Sequence, residues 1–279
     1  MGKLIVVPTP LGNLQDLSSR VIETLKTADI IACEDTRTTG RLLKHLDSKV
    51  NTVSYHMHNE ESRSGEILQL LRDGKTVALV SDAGMPGISD PGHVLIEKAL
   101  GEGHALSVIP GPSAFVTALV GSGLPTDRFT FIGFLDKNRT KRRHELEEVK
   151  AARETLIFYE APHRLKEFLR LLHEVLGDRR ISLCRELTKL YEEYERGRVS
   201  ELIRRYQDKE PRGEYVIVVE GKTLAEIRLE TETYLATLTI EEHVKSLMAQ
   251  GMSKMEAVKA AARERGLKKN EIYMLVNHL

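Results

Sequence analysis

The stretch Thr76-Val-Ala-Leu-Val-Ser-Asp-Ala-Gly-Met-Pro-Gly-Ile-Ser-Asp-Pro-Gly92 decides the fold. It opens on an apolar run of strand length, Thr76–Val80, and passes directly into a loop of Gly, Pro, Ser and Asp. A run without polar alternation is a strand covered on both faces, the habit of parallel sheets set between helices. Working outward, similar runs stand at Leu4–Val7, Ile30–Cys33, Thr52–Tyr55 and Leu106–Ile109. Helix-like stretches at Leu17–Ala28, Thr39–Leu46, Glu61–Asp73 and His93–Gly101 separate them, and a further helix begins at Ser113.

Gly121-Ser-Gly-Leu-Pro125 breaks this alternation. Beyond it a second set begins. Strands are expected at Phe129–Gly133, Leu156–Tyr159, Ile181–Cys184 and Tyr215–Val219, with Glu192–Gly197 as a further candidate. Helices are expected at Lys141–Ala152, Arg164–Leu176 and Val199–Tyr206, giving a mixed sheet. After Gly221, Ile240, Val244, Leu247 and Met248 fall at helical spacing. Ser253-Lys-Met-Glu256 has the form of a capping box, and Gly266 suits a helix end. Asn270 is expected to cap a last helix carrying Ile272, Leu275 and Val276. The reading is an α/β protein with two α/β domains, 1–122 and 123–222, and a helix-turn-helix-like tail of three short helices, 223–279.

The 279 residues carry 41 Lys+Arg against 41 Asp+Glu. Zero net charge argues against indiscriminate coating of DNA and leaves room for a local basic patch. Cys33 and Cys184 are too far apart for a zinc pattern and too few for a disulfide framework, so buried thiols are expected. The apolar start, Met1 to Val7, is too short for a signal peptide, and no segment approaches the ~20 apolar residues that span a bilayer. A cytoplasmic protein without a membrane partner is expected.

In open α/β sheets, ligands sit beyond the carboxyl ends of the strands. Three loops rich in Gly and Pro fall there: Pro8-Thr-Pro-Leu-Gly-Asn13, Ser81–Gly92 and Pro110-Gly-Pro-Ser-Ala114. Asp82 and Asp90 are acceptors suited to a ribose or an amine. Neither a Walker loop nor Gly-x-Gly-x-x-Gly is present, which argues against nucleotide-triphosphate and dinucleotide sites. One such loop is as well read as a tight turn; three at neighbouring strand ends point to a binding site.

These loops, with Cys33-Glu-Asp-Thr-Arg37, His58-Asn-Glu60, Phe158-Tyr-Glu-Ala-Pro-His-Arg164, Arg185-Glu-Leu-Thr-Lys189 and Gly213-Glu-Tyr-Val216, carry a resemblance to the tetrapyrrole-methylase superfamily, running from Leu4 to Gly221. Within it the sequence resembles the branch that methylates cytidine 2′-hydroxyls of 16S rRNA. Met57, Met85 and Gly87 depart from that branch's pattern. The resemblance implies a cofactor cleft between two α/β domains, S-adenosylmethionine as cofactor, no metal, and a homodimer. The implied partner is 16S rRNA or the small ribosomal subunit, with a cytidine of the decoding region as target. Carried onto this chain, cofactor contacts fall on Pro10, Asp82, Ala83, Gly84, Ile88, Ser113, Ala114, Tyr159, Leu187, Tyr215 and Val216.

Positioning and proton removal must carry such a reaction, because a ribose hydroxyl is a poor nucleophile. The candidate groups are Glu34, Asp35, Arg37, His58, Glu60 and Glu160, with Glu34 and Asp35 first because they end the second strand on the ligand side. The bland alternative for these two is a helix cap and a local salt bridge with Arg37. His56 and His58 alternate around Met57, more often a satisfied polar pair than a ligand set. The basic run Lys137-Asn-Arg-Thr-Lys-Arg-Arg143 offers Lys137, Arg139, Lys141, Arg142 and Arg143 for phosphate contact, with Arg164 nearby; a solvated helix face is the alternative. The tail's Lys254, Lys259, Arg263, Arg265, Lys268 and Lys269 fit either nucleic-acid contact or a packing appendage. Two rival functions stay open at this level: C-methylation of a tetrapyrrole, and a non-catalytic RNA-binding assembly factor.

Overall fold

The computed structural model describes residues 2–277, with only the backbone of Glu230 and Thr231. Residue 1 and residues 278 and 279, at the ends of the first and last expected domains, lie outside it. The described residues carry two five-stranded sheets and a separate set of helices.

The first sheet contains β1 (Lys3–Val6), β2 (Ile30–Cys33), β3 (Thr52–Ser54), β4 (Thr76–Val80) and β5 (Ala105–Val108), in the order β3-β2-β4-β1-β5, all parallel. The unbroken apolar runs have the expected cause. On β4, Val77 and Leu79 join one core with Ile67, Leu71 and Leu95, while Ala78 and Val80 join the opposite one with Val21, Leu25 and Leu43. Helices α1 (Ser19–Thr27) and α2 (Thr36–His45) thus cover one face, and α3 (Glu60–Arg72) and α4 (His93–Gly101) the other. Parallel strands bring their carboxyl ends, and the loops that follow, to one edge.

The second sheet contains β6 (Phe129–Phe134), β7 (Thr155–Glu160), β8 (Arg180–Arg185), β9 (Glu193–Arg198) and β10 (Tyr215–Val219), in the order β6-β7-β10-β8-β9. Only β6 and β7 are parallel, so the sheet is mixed. One face is covered by α6 (Arg139–Glu148), α7 (Pro162–Leu176) and α8 (Val199–Arg205). The other is covered by α5 (Ala114–Ser122), whose Ala118 and Leu119 pack with Ile157, Cys184, Val216 and Val218. Thus α5 leaves the first sheet but seats on the second, and residues 1–221 form a single compact unit. The break at Gly121–Pro125 begins in the last turn of α5, which Gly123 ends with φ 75°.

Residues 222–279 form the other unit. Among the described residues it holds four helices rather than three: α9 (Leu224–Thr237), α10 (Ile240–Ala249), α11 (Lys254–Arg265) and α12 (Lys269–Leu275). The apolar residues of α9 are not gathered on one face, and Leu224 and Leu229 are exposed, so no periodicity announced it. The capping box at Ser253 and the left-handed Gly266 are present. Asn270 lies inside α12, which Lys268 caps. His243 is buried between Glu264 (3.1 Å) and Arg265 (3.2 Å), so Arg265 is used inside the unit. Among the described residues, no helix is long and apolar enough to cross a membrane.

Candidate functional site

At the carboxyl edge of the first sheet, the loops after β1 and β4 are tied by an antiparallel bridge. Thr9 and Gly84 exchange N–H···O bonds of 2.9 Å in both directions, and Thr9 Oγ1 donates to Ser81 O at 3.0 Å. Gly84 sits at φ 80°, a region that L side chains avoid, and a Cβ there would stand 3.2 Å from Leu11 Cδ2. Ser89 in the same loop is also left-handed, at φ 60°. These turns border a cavity of about 330 Å³.

From the first sheet the cavity is lined by Leu11, Glu34, Asp82, Ala83, Gly84, Met85, Ile88, Ser89, Asp90, Ser113 and Ala114. From the second it is lined by Phe134, Tyr159, Cys184, Glu186, Leu187, Lys189, Glu214, Tyr215 and Val216. All the expected cofactor positions border it except Pro10, whose neighbour Leu11 takes its place. The loop carrying Leu187 is held by two left-handed residues, Glu186 (φ 51°) and Thr188 (φ 66°). Its Lys189 packs over Gly12, where a Cβ would stand 2.6 Å from Lys189 Cγ, so the loops of the two sheets meet at the cavity mouth.

The proton-transfer candidates separate sharply. Glu34 lines the cavity, and burial, reinforced by the Asp82 carboxylate, raises its pKa. Asp35 faces elsewhere. It caps α2 and grips Arg37 through both oxygens (Nε···Oδ1 3.1 Å, Nη2···Oδ2 2.8 Å), which brings its pKa down to about 2. The local reading therefore holds for the Asp35–Arg37 pair, which does not border the cavity. Its backbone does contribute, since Asp35 N–H donates to Asp82 Oδ1 at 3.1 Å. His58 is exposed and Glu60 opens α3; neither borders the cavity. His56 Nε2 lies 3.2 Å from Asn59 Nδ2 while its Nδ1 is buried without a partner.

Glu160 and Arg164 are a correction. The Glu160 side chain is fully buried at the end of β7, accepting from Ala161 N–H (2.8 Å) and Arg164 Nε (2.6 Å). Arg164 also reaches Leu135 O at 3.4 Å. The pair joins α7 to the sheet, and neither member borders the cavity. Arg142 is a second correction. It is 2% exposed, and its guanidinium donates to Asp136 O (3.0 Å) and Lys137 O (3.2 Å), shaping the turn before α6 rather than meeting phosphate. Arg139 and Arg143 pair with Glu174, and Lys141 with Asp136. Lys137 is exposed.

Several lining residues were outside the expected set: Leu11, Asp90, Phe134, Glu186, Lys189 and Glu214. Asp90 stood out in sequence as an acceptor. Burial first, then the neighbouring Glu34 carboxylate, pushes its carboxyl up to about 7. Burial also pushes Tyr159 up to about 12 and the Cys184 thiol to about 11, so both are neutral at physiological pH. Both cysteines are buried free thiols.

The model of the Tetrapyrrole (Corrin/Porphyrin) Methylases family matches residues 3–203. The chain is 48% identical over 272 residues to a Ribosomal RNA small subunit methyltransferase I of Halalkalibacterium halodurans, covering 98% of this chain and 93% of that protein. It is 46% identical over 222 residues to the protein of the same name from Thermotoga maritima, covering 80% of this chain and 100% of that one. In fold it is similar to the methyltransferase CobJ, with TM-score 0.60, 20% identity, and coverage of 79% of this chain and 95% of that one. With the family match covering residues 3–203 and relatives at this identity over nearly the whole chain, the chain belongs to the tetrapyrrole (corrin/porphyrin) methylases, in the group of the ribosomal RNA small subunit methyltransferase I proteins.

Proposed function

We propose that the cavity binds S-adenosylmethionine and that the protein methylates the ribose 2′-hydroxyl of a cytidine in the decoding region of 16S rRNA. The observation that carries this reading is the meeting of three Gly- and Pro-rich loops at one acid-lined cavity. The residues present suit the cofactor. A volume of about 330 Å³ lies within the ~300–1,000 Å³ range of small-molecule pockets. Glu34, Asp82, Asp90 and Glu214 offer a lining suited to a cation. The N-terminus of α5 at Ser113 and Ala114 has no side-chain cap and borders the cavity, so its N–H groups suit a carboxylate. Asp82, fixed by the Asp35 N–H, would hold a ribose or amine; Gly84, Leu187 and Val216 would take the flat and apolar parts. The cofactor supplies an electrophilic methyl group that needs no metal.

Glu34 would accept the proton of the attacking hydroxyl. It is the one catalytic candidate that borders the cavity, and partial burial makes its carboxylate a better base than a solvated one. The RNA substrate is supported by the names of the relatives that match nearly the whole chain. The proposed chemistry is assigned to the unit that holds the cavity, residues 1–221. A cytoplasmic homodimer completes the reading; exposed Val116 and Val120 on α5 offer a patch suited to burial against a second copy.

The test offers methyl-labelled cofactor with small subunits lacking the modification and maps the product nucleotide. Label on one cytidine ribose is expected. Label on a base, or transfer only to a tetrapyrrole, contradicts the proposal.

A further inference from the structure

The charge of the cavity limits how a nucleic acid can approach it. Glu34, Asp82, Asp90, Glu186 and Glu214 line it against one lysine, Lys189, whose Nζ lies 3.2 Å from Glu186 Oε1. A phosphodiester drawn inside would face unbalanced negative charge at short range, where a low dielectric strengthens repulsion. The RNA backbone must stay at the rim, and only a nucleoside splayed from the strand can reach inward, as in recognition of unpaired RNA. Such a rim needs a flat apolar face for the base and a cation outside it for the phosphate.

Phe134 and Lys137 meet both needs. Phe134 ends β6 and borders the cavity, yet is 54% exposed. Its ring is steadied by an edge contact with Tyr159 (centroids 5.4 Å apart, planes at 63°). The β6–β7 register slips between Phe131 and Gly133, and Gly133 takes φ 77°. A bulge of this kind re-aims the side chains that follow it. The turn after Phe134 is then fixed from beneath. Asp136 N–H donates to Glu145 Oε2 at 2.9 Å, the buried Arg142 guanidinium holds the carbonyls of Asp136 and Lys137, and Arg164 reaches Leu135 O. Among the described residues Lys137 enters no ion pair, whereas Arg139, Lys141 and Arg143 are each paired with a carboxylate.

We propose that Phe134 stacks against the base of the nucleotide to be methylated and that Lys137 contacts the adjoining phosphate. This rests on the reading of the protein as an rRNA methyltransferase and adds the residues that present the substrate. The buried Arg142 is a positioning residue, shaping the turn that displays Lys137.

The experiment uses the full chain with S-adenosylmethionine and small subunits lacking the modification. It compares wild type with Phe134→Ala, Phe134→Tyr and Lys137→Ala. Cofactor affinity is read by calorimetry, and KM for subunits from label transfer at several salt concentrations. Phe134→Ala is expected to raise KM for subunits roughly 5- to 150-fold, the worth of one base–aromatic stack, with cofactor affinity unchanged. Phe134→Tyr should restore KM. Lys137→Ala should raise KM and flatten its logarithmic salt dependence by about 0.7, the loss of one phosphate contact to a single strand. If Phe134→Ala weakens cofactor binding and spares KM, the ring belongs to the cofactor and the proposal is overturned; unchanged values of both also overturn it. Wild type that binds cofactor but labels no subunits defeats the underlying reading, and the inference with it. Active wild type with an indifferent Phe134→Ala defeats the inference alone.

Discussion

Replacing Arg164 by Met removes the only cation that, among the described residues, meets the Glu160 carboxylate. That side chain has no solvent exposure, and its Oε2 is buried without any partner, so after the change only the Ala161 N–H remains on Oε1. Breaking a buried pair by removing one member costs about 3–5 kcal/mol, because the survivor is left charged and desolvated. For a unit of this size, about 2–4 °C of midpoint is lost per kcal/mol, so a fall of roughly 6–20 °C is expected. Glu160→Gln keeps an acceptor for Ala161 and should cost less. The double variant Glu160→Leu with Arg164→Met exchanges the pair for apolar volume and should recover most of the loss. Thermal and urea unfolding followed by circular dichroism, with Glu160→Leu alone as the fourth corner, completes the cycle. The pair is also assigned no chemical role, so Glu160→Gln should retain methyl transfer at temperatures where it is folded. A fully folded, inactive Glu160→Gln, or a nearly neutral Arg164→Met, would refute the assignment of these residues to the scaffold.

Two further predictions concern the cavity itself. Asp90 has a folded pKa of about 7, above its ordinary value, because it is buried and faces Glu34, Asp82 and Glu214, with Tyr159 neutral beside it. The neutral carboxyl favours the fold below the ordinary pKa, and that contribution is lost as pH rises through about 7. Asp90→Asn should therefore unfold at a higher temperature than wild type at pH above about 7, and the gap should close on acidification. Over the same window ionisation of Asp90 favours a cationic ligand, so cofactor affinity should rise with pH by up to about tenfold more in wild type than in Asp90→Asn; equal slopes by calorimetry would remove Asp90 from the binding account. Gly84→Ala places a Cβ at φ 80° and 3.2 Å from Leu11 Cδ2. It should cost about 1–2 kcal/mol of stability and weaken cofactor binding, and a variant matching wild type in both would show that this turn is not bound closely.

Much of the sheet organisation was legible in sequence because double-sided burial leaves unbroken apolar runs, as at Thr76–Val80 and Tyr215–Val219. The loops were legible because backbone at positive φ and close loop contacts demand Gly, as at Gly84 and Gly12. Spacing does not reveal which partner a charge finds. Asp35 and Glu34 are neighbours in the chain, yet one is tied to Arg37 at a helix start and the other borders the cavity. Arg142 sits in the densest basic run, but the helical turn carries it inward beneath the carbonyls it braces. Glu160 ends β7 and Arg164 lies in the first turn of α7, and the two neutralise each other across that junction. The seat of α5 on the second sheet depends on Leu119 meeting Val216 and Val218 across long sequence separation, which local pattern does not encode.

The most direct measurement is a crystal structure of the protein grown with S-adenosylhomocysteine, the demethylated product of the proposed cofactor. The account predicts density in the cavity, in contact with Gly84 and the N-terminus of α5 on one side and with Leu187 and Val216 on the other. A ligand held elsewhere, or saturating ligand with the cavity filled only by solvent, would contradict it.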